Sequence, residues 1–436
     1  MQNAKAGYLH SGLLLSSAAL VVAAHPASFP AFTAHSLGDS LAGIGTFQEV
    51  LSPLDLDGDG DLDFFSGEGS GGREFWFENR GAGVFAPHVV SDSNDADVGA
   101  AVVDVDGDGD MDRLAGSFLY RNPGDPHAGP WTAERTGEAA GVHDLLVGDI
   151  DGDGRPDYVT IHYPGIQWHR NPGMPGARWP TTEISSWDTV SQHGGIALGD
   201  FDGDGDPDVA RINRWYENQD SGRRWVLRPG PDFGRYIPGF YGLSARTVVR
   251  DIDGDGDADL AQAECDIPNG RVAWFENVDR GTAWTMHLVK DSTDGQDFHS
   301  LALADFDGDG DLDFFSCGSM VSRGVPKWYV WENRDGKSRA FREHVILEGP
   351  PGGHEAAAFD ADGDGDIDIL GKEFNGYHLY LENRHKSGAS IRPKVPHRGK
   401  HGRGLTFRSH PTPAFGGKGN SQVDAAGKLL QEPVPE

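Results

Sequence analysis

Asp251-Ile252-Asp253-Gly254-Asp255-Gly256-Asp257-Ala258-Asp259 is one of seven copies of an aspartate-rich nonapeptide. The other six begin at Asp55 (DLDGDGDLD), Asp104 (DVDGDGDMD), Asp149 (DIDGDGRPD), Asp200 (DFDGDGDPD), Asp305 (DFDGDGDLD) and Asp360 (DADGDGDID). Successive copies start 49, 45, 51, 51, 54 and 55 residues apart. Self-similarity at such a period means one supersecondary unit repeated.

Carboxylates at alternate positions of a tight loop converge on one hard cation, and calcium accepts six to eight oxygens in flexible geometry. Glycines at positions 4 and 6 permit the sharp turn. The expected side-chain ligands occupy positions 1, 3, 5 and 9: Asp55, Asp57, Asp59 and Asp63; Asp104, Asp106, Asp108 and Asp112; Asp149, Asp151, Asp153 and Asp157; Asp200, Asp202, Asp204 and Asp208; Asp251, Asp253, Asp255 and Asp259; Asp305, Asp307, Asp309 and Asp313; Asp360, Asp362, Asp364 and Asp368. Position 7 would give only its carbonyl, which agrees with Arg155 standing there in the third copy. An EF-hand would need a glutamate at position 12, where the chain has Ser66, Ala115, Thr160, Arg211, Gln262, Ser316 and Gly371. The expected cofactor is about seven calcium ions, one per loop.

The charge follows the loops. The chain carries −31, yet 34 of its 68 acidic residues lie in the seven copies, and the remainder alone would carry +2. Without cations the clustered carboxylates repel one another, so folding and metal binding are expected to be linked.

A second signal recurs between the copies: Trp76-Phe77-Glu78-Asn79, Trp215-Tyr216-Glu217-Asn218, Trp274-Phe275-Glu276-Asn277, Trp331-Glu332-Asn333 and Leu381-Glu382-Asn383, with the variants Tyr120-Arg121-Asn122 and His169-Arg170-Asn171. Each reads as a strand ending in a turn and followed by another strand. Four short strands per unit of about fifty residues describe a propeller blade, so the fold class is all-β, a seven-bladed β-propeller of four-stranded blades. The seventh unit lacks its fourth strand. Phe32-Thr33-Ala34-His35-Ser36-Leu37 has the missing pattern and is expected to complete the last blade, closing the ring and protecting its edges.

These loops and turns resemble the FG-GAP or VCBS-type repeat family, which includes integrin α propellers and many secreted bacterial proteins. The resemblance covers about residues 32–384 and implies calcium loops on the lower face, between first and second strands, with ligands on the upper face. The Phe-Gly and Gly-Ala-Pro halves of the integrin repeat are missing, so adhesion-receptor function does not carry over. The Trp-x-Glu-Asn turns look more like bacterial VCBS proteins and the propeller of a fungal sugar dehydratase.

Residues 1–24 read as a signal peptide: Lys5, an apolar run from Leu13 to Ala24, and small residues before His25. Secretion, to the extracellular space or periplasm, is the expected localisation, and the apolar run is too short to span a bilayer. Residues 28–384 are the propeller. Residues 385–436 form a basic tail of disordered composition, and nothing in the chain points to nucleic-acid recognition or a membrane span. A monomer is expected. Cys265 and Cys317 leave a disulfide or two buried thiols equally open.

The upper face is where a ligand belongs, and its polar positions recur: Gln48 and Glu49, Asp97, His143, His193, Arg246, His299 and His354, with His162, Glu264 and Glu373 at the ends of second strands. A funnel lined by these, with Tyr163, Trp168, Tyr236, Phe240 and Tyr241 nearby, suits a carbohydrate. His143, His193, His299 and His354 are also the candidate catalytic residues of a sugar lyase or dehydratase, acting as bases or holding an extra transition metal. Protein adhesion through loops 228–242 and 317–327 is the third reading. A wet channel mouth with no function predicts the same polar side chains.

Overall fold

The computed structural model describes residues 29–37, 52–68, 72–81, 84–96, 98–137, 142–162, 165–186, 195–234, 245–291, 293–350, 352–373 and 378–385. The expected signal peptide and basic tail lie outside these. Among the described residues there are no helices, only seven four-stranded antiparallel sheets. Blade 1 runs Ser52–Leu54, Asp63–Gly67, Glu74–Asn79, Phe85–Ser91, and blade 2 Ala100–Val103, Asp112–Ala115, Phe118–Arg121, Thr132–Arg135. Blade 3 runs Asp144–Gly148, Asp157–His162, Gly165–His169, Thr181–Ser186, and blade 4 Ala197–Gly199, Asp208–Arg211, Arg214–Gln219, Arg224–Pro229. Blade 5 runs Ala245–Arg250, Asp259–Glu264, Val272–Asn277, Trp284–Lys290, and blade 6 Ala302–Ala304, Asp313–Cys317, Lys327–Asn333, Phe341–Glu348. Blade 7 takes Glu355–Phe359, Asp368–Lys372 and His378–Asn383 from the C-terminal side and Phe32–Ser36 from the N-terminal side, in the register Phe32 to Asn383 and Ser36 to Leu379.

Burial explains the strand composition. Second strands are buried along their whole described length, as in DFFSG of blade 1 and DFFSC of blade 6, because a neighbouring blade covers each face. Outer strands alternate or stay half-exposed, as in WTMHLVK of blade 5.

The core is divided into slabs between consecutive blades. Phe65 and Trp76 of blade 1 meet Ala100 and Tyr120 of blade 2; Trp274 of blade 5 meets Tyr329 and Trp331 of blade 6; Phe64 and Phe77 of blade 1 meet Phe359, Leu370 and Tyr380 of blade 7. The turn tryptophans are the keystones. Trp215 Nε1 donates to the Gly281 carbonyl of the next blade at 3.1 Å, and a β-carbon at Gly281, where φ is +71°, would sit 2.5 Å from the Trp215 ring. That contact explains why the turn carries glycine.

Candidate functional site

Two constellations emerge, one at each end of the blades. At the lower end the nonapeptides form seven closely similar loops. In blade 5, Gly254 and Gly256 have φ of +80° and +100°, a region closed to most side chains, and the glycines at these two positions are positive in all seven copies. The first aspartate shapes the turn: Asp251 accepts from the N–H groups of Gly254, Asp255 and Gly256 at 2.8, 3.0 and 3.1 Å. Asp255 accepts from Asp257 N–H at 3.2 Å.

Position 9 has a role that the spacing did not reveal. Asp259 is buried, and its two oxygens accept from Ile252 N–H at 2.9 Å and from Asn277 N–H at 2.8 Å, tying the loop to the asparagine turn. The same pair of bonds recurs at Asp63, Asp112, Asp157, Asp208, Asp313 and Asp368. Burial, and then carboxylate neighbours against these N–H donors, pushes Asp259 up to about 7 and Asp208 and Asp313 up to about 8. These are buried carboxyls that lack a counter-charge.

The turn asparagines extend the link to the preceding blade. Asn277 Nδ2 donates to the Phe201 carbonyl of loop 4 at 2.9 Å, and Asn79, Asn171, Asn218 and Asn383 reach Ala361, Val105, Ile150 and Phe306 at 2.7 to 3.1 Å. The asparagine was legible as a turn residue. Its partner, up to 282 residues away in sequence, was not.

The loops fit a hard divalent cation. Oxygens of Asp55, Asp57 and Asp63, and of Asp104, Asp106 and Asp108, lie within 4.8 Å of one another. Buried Oδ1 atoms of Asp253, at position 3, and of Asp257 and Asp311, both at position 7, have no hydrogen-bond partner, which is costly unless something else satisfies them; position 7 was expected to offer only its carbonyl, and in loops 5 and 6 it also presents a side-chain oxygen. An all-oxygen donor set is the chemistry calcium takes.

At the upper end, residues from four blades meet where the innermost strands begin. Arg246 of blade 5 reaches over blade 6, donating Nε–H to the His299 carbonyl at 2.7 Å and pairing with Glu355 of blade 7. The His299 and His354 rings stack with centroids 3.6 Å apart, and His299 Nδ1 lies 3.0 Å from the His354 carbonyl. His299 Nε2 is 3.6 Å from Asp266. His143 Nδ1 lies 2.8 Å from Asp144, which also accepts from Ile196 N–H at 3.1 Å. Burial opposes ionisation of Asp144, but His143, Arg246 and the N–H donor together hold its carboxyl below the ordinary value. Burial, then the charges of His299, Arg246, Lys372 and His143, drives His354 well below the ordinary imidazole value. His354 is therefore neutral at physiological pH.

The structure thus gathers His143, Arg246, His299 and His354. Glu264 is occupied elsewhere: Arg271 grips it with Nε and Nη2 at 2.6 and 2.7 Å, a clamp between second and third strands that Arg73 and Glu68 repeat in blade 1. Trp168 does not line the funnel. It is buried in the slab between blades 3 and 4 and donates Nε1–H to Asp157 at 2.9 Å. Glu373 is partly exposed just beyond the second strand of blade 7. Glu49, Asp97, His193, Tyr163, Tyr236, Phe240, Tyr241 and the side chain of His162 lie outside the described residues. The cysteines are separate buried thiols: Cys317 Sγ lies 2.9 Å from Ser300 Oγ and 3.1 Å from the Gly353 carbonyl, and burial pushes it up to about 12.

Comparison with known proteins agrees with the fold. A model of the FG-GAP-like repeat matches residues 55–115, 149–210 and 251–316. Each matched stretch runs from one aspartate loop through the second strand of the next blade, so six of the seven loops fall inside them. No curated protein matches the sequence. Among solved structures the chain is similar to an ancestral GH74 enzyme, at 11% identity over 80% of this chain and 49% of that one, with a TM-score of 0.51. It also aligns with an Agrocybe aegerita lectin described as recognising non-reducing terminal N-acetylglucosamine, at 20% identity over 78% and 81% of the two chains and a TM-score of 0.38. BBS1N in complex with ARL6DN aligns at 12% identity over 84% and 99%, with a TM-score of 0.49. Identities this low speak to fold alone. With seven four-stranded blades, each carrying its aspartate loop between first and second strands, and the repeat match laid across six of those loops, the chain matches an FG-GAP-type seven-bladed β-propeller.

Proposed function

We propose that this propeller is a secreted recognition module, extracellular or periplasmic, whose lower loops are braced by calcium and whose upper channel mouth takes a carbohydrate. The observation that carries the reading is the gathering of Arg246, Glu355, the His143–Asp144 pair and the stacked His299–His354 pair where the innermost strands begin, with His299, His354, Glu355 and Asp144 buried. Donor and acceptor groups held side by side on rigid strands suit neighbouring hydroxyls or a sugar carboxylate. Ligand atoms of His299, His354 and Glu355 lie within 4.8 Å of one another, which suits an additional transition metal, while the guanidinium of Arg246 against Glu355 opposes one. The calcium reading rests on the oxygen-only loops and their unsatisfied buried carboxylate atoms.

The test is a glycan array with calcium-loaded protein, followed by calorimetry on any ligand found. Arg246→Met should weaken binding at least about tenfold, the scale expected for losing a charged hydrogen bond. Binding unchanged by this substitution would remove the mouth from the site. The second reading, a sugar lyase or dehydratase, is favoured by one feature, the neutral imidazole of His354 beside an oriented His143–Asp144 pair, which is an arrangement for proton abstraction. It requires an unsaturated, ultraviolet-absorbing product to appear from an acidic polysaccharide.

A further inference from the structure

The residue just before the turn asparagine divides the loops into two kinds. In blades 1, 4, 5, 6 and 7 it is Glu78, Glu217, Glu276, Glu332 and Glu382; in blades 2 and 3 it is Arg121 and Arg170. Each glutamate stands beside its loop and pairs with an arginine outside the nonapeptide, Glu78 with Arg80, Glu217 with Arg228, Glu276 with Arg339, Glu332 with Arg334 and Glu382 with Arg384, and four of the five also meet an outer-strand histidine: Glu78 meets His88 at 2.8 Å, and Glu276, Glu332 and Glu382 meet His287, His344 and His35 at 2.7 Å.

Arg121 and Arg170 instead turn into the loops. Arg121 Nη1 lies 2.8 Å from Asp106 and 3.3 Å from Asp112, at positions 3 and 9 of loop 2. Arg170 pairs with Asp151 and, at 2.9 Å, with Asp153, at positions 3 and 5 of loop 3. Arg155, the residue that breaks the motif at position 7, also pairs with Asp153. Formal charge over the nonapeptide and the residue before asparagine is −6 for loops 1, 4, 5, 6 and 7, −4 for loop 2 and −2 for loop 3. Three observations pull the other way, the first being that oxygens of Asp104, Asp106 and Asp108 in loop 2 lie within 4.8 Å of one another. One oxygen of Asp151 has no hydrogen-bond partner, and in loop 5 Arg339 comes within 3.3 Å of Asp253. That arginine nitrogen is shared with Glu276 at 3.2 Å, and counting its charge leaves loop 5 at −5, still more negative than loops 2 and 3.

A guanidinium holding two carboxylates supplies the counter-charge that a cation would otherwise bring, and a divalent ion would have to displace it against charge-assisted hydrogen bonds. We infer that loops 2 and 3 are neutralised by arginine and take no calcium, so that the chain binds five ions, in loops 1, 4, 5, 6 and 7. The inference rests on the calcium reading proposed above. Its consequence is one sector of the lower face, blades 2 and 3, whose loops stay ordered without metal.

Equilibrium dialysis of the full chain against excess calcium, with calcium and protein measured by elemental analysis, should give five ions per chain. Six or seven would overturn the inference while leaving calcium binding intact; none would overturn calcium binding itself. Reciprocal substitutions make the test specific. Arg155→Asp with Arg170→Glu should raise the count by one, Arg121→Glu should independently raise it by one, and Glu276→Arg should lower it by one. Circular dichroism confirms that each variant folds, and counts unmoved in folded variants would overturn the assignment.

Discussion

Asp259 and Asn277 show how a single repeat position ties three pieces of chain together. The aspartate holds two backbone N–H groups, and the asparagine side chain carries the link to the Phe201 carbonyl of the preceding blade. Asn277→Ala should lower stability by about 1–3 kcal/mol, because it leaves a buried carbonyl without its donor. Asp259→Ala orphans two N–H groups and should cost more, on the order of 3 kcal/mol or above. Asp257→Ala, at a position whose side chain makes no hydrogen bond to the turn backbone, should cost less than either. Urea unfolding of the three variants gives the ranking directly. Equal costs for Asp259→Ala and Asp257→Ala would deny position 9 its part as a hub.

At the scale of elements, the most exposed dependency is the strand Phe32–Ser36, which lies beside His378–Asn383 although 342 residues separate Ser36 from His378. Phe32 packs with Phe29 against the slab between blades 6 and 7, and Phe29 stacks on His344 at 3.8 Å. A protein beginning after Leu37 should lose this packing, melt at lower temperature and aggregate through the bared edge of blade 7. Unchanged melting and solubility would show that the strand is dispensable. Strand number, blade count and this pairing were legible because a repeat declares its own incomplete member. The polar mouth was legible only in part. Recurrence placed His143, Arg246, His299 and His354 together, but position alone could not tell that Glu264 would be gripped by Arg271 or that Trp168 would face a slab. Those outcomes depend on side-chain direction and on residues remote in sequence. The Glu-to-Arg exchange at Arg121 and Arg170 was visible as a variant, yet its meaning required knowing that this side chain turns toward the loop.

The propeller is a ring of slabs joined at the lower face through loops that concentrate half of the chain's acidic residues. Without cations, burial followed by the neighbouring carboxylates raises Asp63 and Asp368 to about 7 and Asp208 and Asp313 to about 8, above the ordinary value near 3.8. A folded-state value above the unfolded one means that the native state holds extra protons between them. Stability of the chelated protein should therefore fall as pH rises from about 4 to about 8. Calcium binds the ionised form, so the loaded protein should show the opposite slope across the same window. The most direct measurement is thermal unfolding at pH 7.5 with millimolar calcium and again with excess chelator. Chelation should lower the melting temperature by about ten degrees or more, the scale of several linked binding sites, and added calcium should restore it. Superimposable melting curves would contradict the calcium reading, for the carboxylate loops would then be holding the ring together without a cation.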